Sequence, residues 1–287
     1  MELHTQMDLA IETVAGAQAN RSIAFLHGIL GSGRNLQTLA KQFVRAHPQY
    51  SAWLVDLRGH GRSAKGTGNP TLKAVAEDIV ELAAKNLPPL HAIAGHSFGG
   101  KVALEVARLN CITAVRSIVV IDSMPGVREP MRGGDSALDI IDLLKALPQS
   151  FSSIAEFVGT LQNAGLTRPV AQWLAGSLER QGDRVRFGLD LNEISALILD
   201  YLAEDLWPVV ENPPDNLRIH LVVGDRSGSY STSDLDRAKR IAATNKQITV
   251  RVLPAGHWVH VDDPQGLLGV MSLIDIDEGW SPKRQFR

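Results

Sequence analysis

The chain has 287 residues, 44% of them hydrophobic and 21% charged, which describes one sizeable globular domain, or one domain carrying an insertion, and not a disordered or fibrous chain. Its 29 basic and 31 acidic residues leave a formal net charge of −2, so no nucleic-acid partner is expected. A single cysteine, Cys111, excludes an internal disulfide framework, and its place between a helical stretch and an apolar run reads as a small buried hydrophobe.

Met1 to Asn20 contains neither a lysine nor an arginine and has no continuous apolar core, so it reads as neither a secretory signal nor an Arg-rich transit peptide. No run approaches the ~18 apolar residues of a membrane span. The cytoplasm or an organelle matrix is the expected location. Ser22 to His27 is a short apolar run stopped by Gly28, hence a buried strand. Asn35 to His47 carries apolar residues at Leu36, Leu39, Ala40, Phe43 and Val44, a helical stripe ended by Pro48. Ala52 to Val55 is the next strand. Residues 71–86 form an amphipathic helix with Thr71 as its N-cap. Leu90 to Ala94 is a strand, Val102 to Leu109 lies on the following helix, and Val115 to Ile121 is a β-branched strand. Apolar strands alternating with helices imply an α/β fold with a parallel sheet covered on both faces.

The alternation then stops. From Pro125 to about Leu189 the pattern contains helices and no convincing strand. Ser136-x-x-Asp139 and Ser153-x-x-Glu156 read as capping boxes, preceded by a Gly/Arg-rich loop from Val127 to Asp135. This is the pattern of a helical cap. Leu138, Ile141, Leu144, Phe151, Phe157, Leu161 and Trp173 suit either an acyl pocket or packing onto the core, and packing is favoured for most. Leu217 to Val223 resumes the strands, Ser233-x-x-Asp236 caps a helix to about Ala243, and Ile248 to Leu253 is the last strand. Asp275 to Arg287 is a polar tail expected to fray. The expected organisation is a core in two parts, residues 1–123 and 191–287, with a helical cap over 124–190.

The sharpest motif is Gly95-His96-Ser97-Phe98-Gly99-Gly100, a G-x-S-x-G between a predicted strand and a predicted helix. Such a turn pushes the serine Oγ out at the sheet's C-terminal edge, beside helix N–H groups. A serine needs a base, and the base an orienting group. His257, just after the last strand, is the candidate base among nine histidines. His260 is its rival, and the spacing of the two supports no metal site. His27, His60 and His96 sit in motifs suited to structural or oxyanion-shaping work. The oxyanion donors are expected to be the N–H of Phe98 and, from the loop His27 to Gly31, the N–H of Ile29. For the acid, Asp122 ends one strand, while Gly224-Asp225-Arg226-Ser227 follows another. Asp190, Asp262 and Asp263 are further alternatives. Asp56, within Asp56-Leu57-Arg58-Gly59-His60-Gly61, is read as part of a structural loop at the rim.

Taken in order, His27-Gly28, Asp56-x-Arg58-Gly59-His60-Gly61-x-Ser63, Gly95-His96-Ser97 and Gly256-His257 resemble the α/β-hydrolase superfamily. More narrowly, Gly95 to Lys101, Ile121 to Pro125 and Ala255 to His260 resemble the α/β-hydrolase domain-containing protein 11 group and related bacterial short-acyl esterases. The resemblance implies a mostly parallel eight-stranded sheet with helices on both faces and a helical cap after strand six. It implies cofactor-free and metal-free hydrolysis of small or medium acyl esters or thioesters through an acyl-enzyme. It also implies Asp122 as the acid, with Asp225 the alternative and Ser227 a helper to the histidine. The competing readings are a non-catalytic ligand-binding or partner-binding protein of this fold, and a cofactor-free perhydrolase or carbon–carbon hydrolase.

Overall fold

The computed structural model describes residues 8–66, 68–130 and 136–274. The first part of the chain runs β1 (Ile11–Ala15), β2 (Arg21–Leu26), α1 (Gln37–Ala46), β3 (Tyr50–Val55), α2 (Leu72–Lys85), β4 (Leu90–His96), α3 (Phe98–Leu109) and β5 (Ser117–Ile121). Next come α4 (Ala137–Ala146), α5 (Ile154–Asn163), α6 (Arg168–Ala175), β6 (Leu178–Gln181), β7 (Arg184–Phe187) and α7 (Leu191–Ala203). The last part is α8 (Trp207–Glu211), β8 (Arg218–Gly224), α9 (Thr232–Thr244), β9 (Ile248–Leu253), α10 (Val259–Asp262) and α11 (Pro264–Met271).

One sheet has the order β1-β3-β2-β4-β5-β8-β9. Only the edge strand β1 is antiparallel, to β3; every other pairing is parallel. The central strands are buried on both faces, so successive residues serve opposite cores. Ala24 and Leu26 join one cluster with Val75, Ile79, Val102 and the helices beyond β5. Ile23 and Phe25 join another with Leu39, Phe43, Leu267 and Met271 from α1 and α11. The fold is therefore α/β with helices on both faces, as its alternating pattern predicts. Among the described residues the main sheet has seven strands, not eight, because a single strand precedes β2. The long insertion accordingly follows the fifth strand along the chain and not the sixth.

That insertion is not purely helical. β6 and β7 pair as an antiparallel hairpin, and Phe151 bridges onto Val185. Leu178-Glu179-Arg180-Gln181 and Arg184-Val185-Arg186-Phe187 are mostly exposed and polar, so no apolar alternation announces them. Leu138, Ile141, Leu144, Phe151, Phe157 and Leu161 are all buried, with Phe157 between Phe151 and Phe187 at centroid distances of 5.1 and 6.0 Å. They pack. Three capping details also emerge. Thr71, Ser136 and Ser153 each accept from the N–H three residues on, as expected of N-caps, but the Ser153–Glu156 box does not close, because Glu156 accepts from Ser152 N instead. The α9 capping box uses Ser231 and Asp234, two residues before the predicted Ser233 and Asp236. Cys111 is exposed, because the left-handed Asn110 at the end of α3 turns the chain outward. Within the predicted Val127–Asp135 loop, residues 131–135 lie outside the described residues, as does the tail Asp275–Arg287.

Lys101 ties the start of the insertion and the far end of α7, beyond it, to the core. From α3 its buried ammonium donates to Gly126 O (2.8 Å), just beyond β5, and to Tyr201 O (2.6 Å) and Glu204 O (2.7 Å) at the end of α7. Burial lowers its pKa to about 8. The cation sits where the unpaired carbonyls of a helix C-terminus gather.

Candidate active site

Ser97 stands between β4 and α3 with φ 51° and ψ −116°, a strained conformation for a residue bearing a Cβ. The flanking glycines permit it. A Cβ on Gly95 would lie 2.1 Å from Gly99 O, and one on Gly99 would lie 2.4 Å from Leu26 O. The Ser97 N–H donates to Ile121 O (2.9 Å), tying the turn to β5. Its side chain is half-buried and so reachable from outside.

Asp122 ends β5 with φ 49°, a left-handed turn that carries its carboxylate into the sheet edge. His257 Nδ1–H donates to Asp122 Oδ2 at 2.7 Å. The same oxygen accepts from Ser227 Oγ (2.5 Å) and Ser229 Oγ (2.6 Å), while Oδ1 accepts from Gly224 N (3.0 Å). Burial pushes the Asp122 carboxyl upward, but the histidine and the two serines outweigh it, and the net shift is downward. Ser229 Oγ also lies 3.2 Å from His257 Nδ1. Ser229 is the residue the sequence analysis missed; its signal is the serine-rich turn Ser227-Gly228-Ser229. Ser227 reaches the carboxylate, not the histidine. The Asp225 side chain pairs with Arg226 (3.4 Å), and among the described residues it makes no hydrogen bond to His257. Asp190 caps α7 and pairs with Lys65 (2.6 Å), Asp262 accepts from Gly256 N (2.7 Å), and Asp263 caps α11.

Two N–H groups in the adjoining loop and turn have no partners of their own. Among the described residues, the Ile29 and Phe98 N–H groups make no hydrogen bond, whereas Leu30, Gly31, Gly99 and Gly100 all donate. A Cβ on Gly28 would stand 3.4 Å from Ser97 Cβ, which shows how closely this loop passes the serine. The buried imidazoles hold the loop. Leu57 N–H donates to His27 Nε2 (3.0 Å), which leaves Nδ1–H to donate to Gly28 O (2.8 Å). Leu30 N–H donates to His60 Nε2 (3.2 Å), and His60 Nδ1–H donates to Arg58 O (2.9 Å). Both rings are neutral: burial lowers the His27 pKa and brings that of His60 to about 3. Asp56 is likewise structural, accepting from Gly33 N (2.8 Å) and Arg62 N (3.0 Å). His96 donates from Nε2 to His257 O (2.8 Å), fixing the backbone of the histidine loop. His260 packs edge-on against His96 at 4.8 Å, and burial brings its pKa to about 4.

The insertion touches this site through α6 and the turn after it. Trp173 lies 5.8 Å, centroid to centroid, from Trp258, the neighbour of His257. Ser177 Oγ donates to Leu30 O (3.1 Å). Among the described residues no group of three or more His, Cys, Asp or Glu side chains is placed to hold a metal ion. No helix among them is long and apolar enough to cross a membrane.

Comparison with known proteins agrees with this architecture. The alpha/beta hydrolase family profile matches residues 23–270. The sn-1-specific diacylglycerol lipase ABHD11 of Danio rerio is 26% identical over 276 residues, covering 92% of this chain and 81% of that protein. Esterase YbfF of Escherichia coli strain K12 is 29% identical over 266 residues, covering 92% and 96%. A solved marine microorganism esterase superposes with a TM-score of 0.76 at 23% identity, over 93% of this chain and 99% of that one.

Proposed function

Since the chain belongs to the alpha/beta hydrolase family, we propose that it is a carboxylic ester hydrolase acting on small or medium acyl esters or thioesters, with Ser97, His257 and Asp122 as its triad. The observation that carries this reading is the conjunction of a strained, reachable Ser97, a His257 ring oriented by a buried carboxylate, and two unpaired N–H groups beside the serine. Relatives that are named lipase and esterase support the reaction class. The polypeptide between residues 124 and 190 is read as the cap over the site.

The chemistry follows from the atoms. Asp122 holds the Nδ1–H tautomer, so Nε2 carries the lone pair that takes the Ser97 proton as Oγ attacks the acyl carbonyl. The carbonyl oxygen becomes an oxyanion between the Ile29 and Phe98 N–H groups, whose lack of other partners means that nothing must be broken to receive it. His257 returns the proton to the leaving alcohol or thiol. A water, deprotonated by the same nitrogen, then releases the acid and regenerates Ser97.

The test is reaction of the full chain with a fluorophosphonate probe alongside p-nitrophenyl ester turnover. The wild type is expected to do both, and Ser97→Ala to do neither, its kcat falling by about four orders of magnitude or more. Undiminished labelling in the variant would overturn the assignment.

A further inference from the structure

We propose that Ser177 is a positioning residue for the oxyanion donor, so that seating of the insertion and completion of the oxyanion hole are one event. This rests on the esterase reading above. Ile29 N–H belongs to the Gly28–Ile29 peptide, whose carbonyl accepts from His27 Nδ1 (2.8 Å) and Gly31 N (3.1 Å). In a trans peptide the C=O and N–H point opposite ways, so holding Gly28 O inside the loop turns the Ile29 N–H outward.

The next residue, Leu30, is the loop's weak point. It is a leucine at φ 65°, a conformation that persists only when its surroundings impose it. Side chains from two distant segments do so. His60 Nε2 takes the Leu30 N–H (3.2 Å), and Ser177 Oγ donates to the Leu30 carbonyl (3.1 Å). His60 is part of the core, whereas Ser177 belongs to the insertion, in the turn that ends α6. Four residues earlier, Trp173 rests on Trp258 beside His257 (5.8 Å). One short element thus contacts both the Leu30 loop and the neighbour of His257. With the Ser177 hydroxyl gone, Leu30 loses one of its two side-chain restraints. Leu30 then relaxes toward right-handed φ and draws the Ile29 N–H off its line.

A residue acting only in this way changes transition-state stabilisation and leaves ground-state binding alone. We would measure kcat and KM for p-nitrophenyl butyrate, and the Ki of an alkyl trifluoromethyl ketone, which forms a tetrahedral adduct with the serine. The proteins are the wild-type chain, Ser177→Ala, Ser177→Thr and Arg186→Ala; the last breaks the Arg186–Glu179 pair elsewhere in the insertion. For S177A, kcat is expected to fall about tenfold, Ki to rise by about the same factor, and KM to stay within about twofold. S177T, which keeps the hydroxyl, restores both, and R186A changes neither. If S177A melts below the assay temperature, Ser177→Cys keeps the packing with a poor donor and is expected to show the same loss. Unchanged kcat and Ki in S177A, or a loss confined to KM, overturns the inference while leaving the esterase reading intact. A wild type without ester turnover overturns the esterase reading and this inference with it.

Discussion

Asp122 concentrates three donors on one carboxylate oxygen: His257 Nδ1, Ser227 Oγ and Ser229 Oγ. A carboxylate so surrounded stays ionised despite burial, which suits a group that must orient an imidazole and face the charge developing on it. Asp122→Asn is expected to lower kcat for p-nitrophenyl butyrate by about a thousandfold or more, because the amide no longer secures the Nδ1–H tautomer. Asp225→Asn is expected to change it less than about twofold; a tenfold loss there would move the acid to Asp225. These two residues were hard to separate in the sequence for a geometric reason. β5 and β8 are parallel neighbours in register, so Asp122 and Asp225 leave the sheet at the same edge. Only the positive φ of Asp122, and the turn that commits Asp225 to Leu253 O and Arg226, decide which carboxylate faces the histidine. Ser97 and His257 are local features, a tight turn and a loop after the last strand, and such features are legible one at a time. Ser229 is not, because its role exists only where three loops meet.

Helix ends show what sequence resolves at the scale of elements. Capping side chains announce a helix, but α9 has serines at both 231 and 233 and acids at both 234 and 236, so the pattern alone admits two starts. The chain takes the earlier one, with Ser231 and Asp234 closing the box reciprocally. Ser231→Ala is expected to lower unfolding stability by ~1 kcal/mol, and Ser233→Ala by less than ~0.5 kcal/mol, in urea melts. The hairpin β6–β7 was illegible for the opposite reason. Its strands are held by backbone pairing and by the Phe151–Val185 bridge, not by an alternating apolar face. The loop from His27 to Gly31 lies between these cases. The residue types His27-Gly28-Ile29-Leu30-Gly31 suggest its role, while the restraints from His60 and Ser177 come from far along the chain.

At the scale of the molecule, the parallel order of the sheet was readable because doubly buried strands must be apolar throughout, and helices must cross between them. The number of strands was not, since β1 is a half-exposed edge with no such demand on its sequence. Burial of imidazoles throughout the core has a consequence for acid stability. His60 titrates at about 3, and His220 and His260 at about 4, in each case because burial disfavours the charged ring. In the unfolded chain these groups bind a proton near pH 6.5. Their contribution to stability is therefore complete above pH 6.5 and is lost as pH falls toward 4. Asp78 and Glu105, held above the usual carboxylate range by burial, act with the opposite sign, so a difference measurement isolates one ring. His220 suits it, buried in β8 with Nδ1 against Thr249 Oγ1 (2.8 Å). Between pH 6.5 and 4 the stability of His220→Gln is expected to fall with a slope shallower than wild type by up to ~1.4 kcal/mol per pH unit, read from urea melts; parallel curves would refute it. Finally, Lys101 grips Gly126 near the start of the insertion and Tyr201 and Glu204 at the end of α7, all from the helix that begins just after Ser97. The stretch between those joints is thus clamped at both ends by one buried side chain. A foreign segment spliced in at Gly126 and Tyr201 is expected to inherit both anchors from α3, but it must bring its own donor to Leu30 O in place of Ser177.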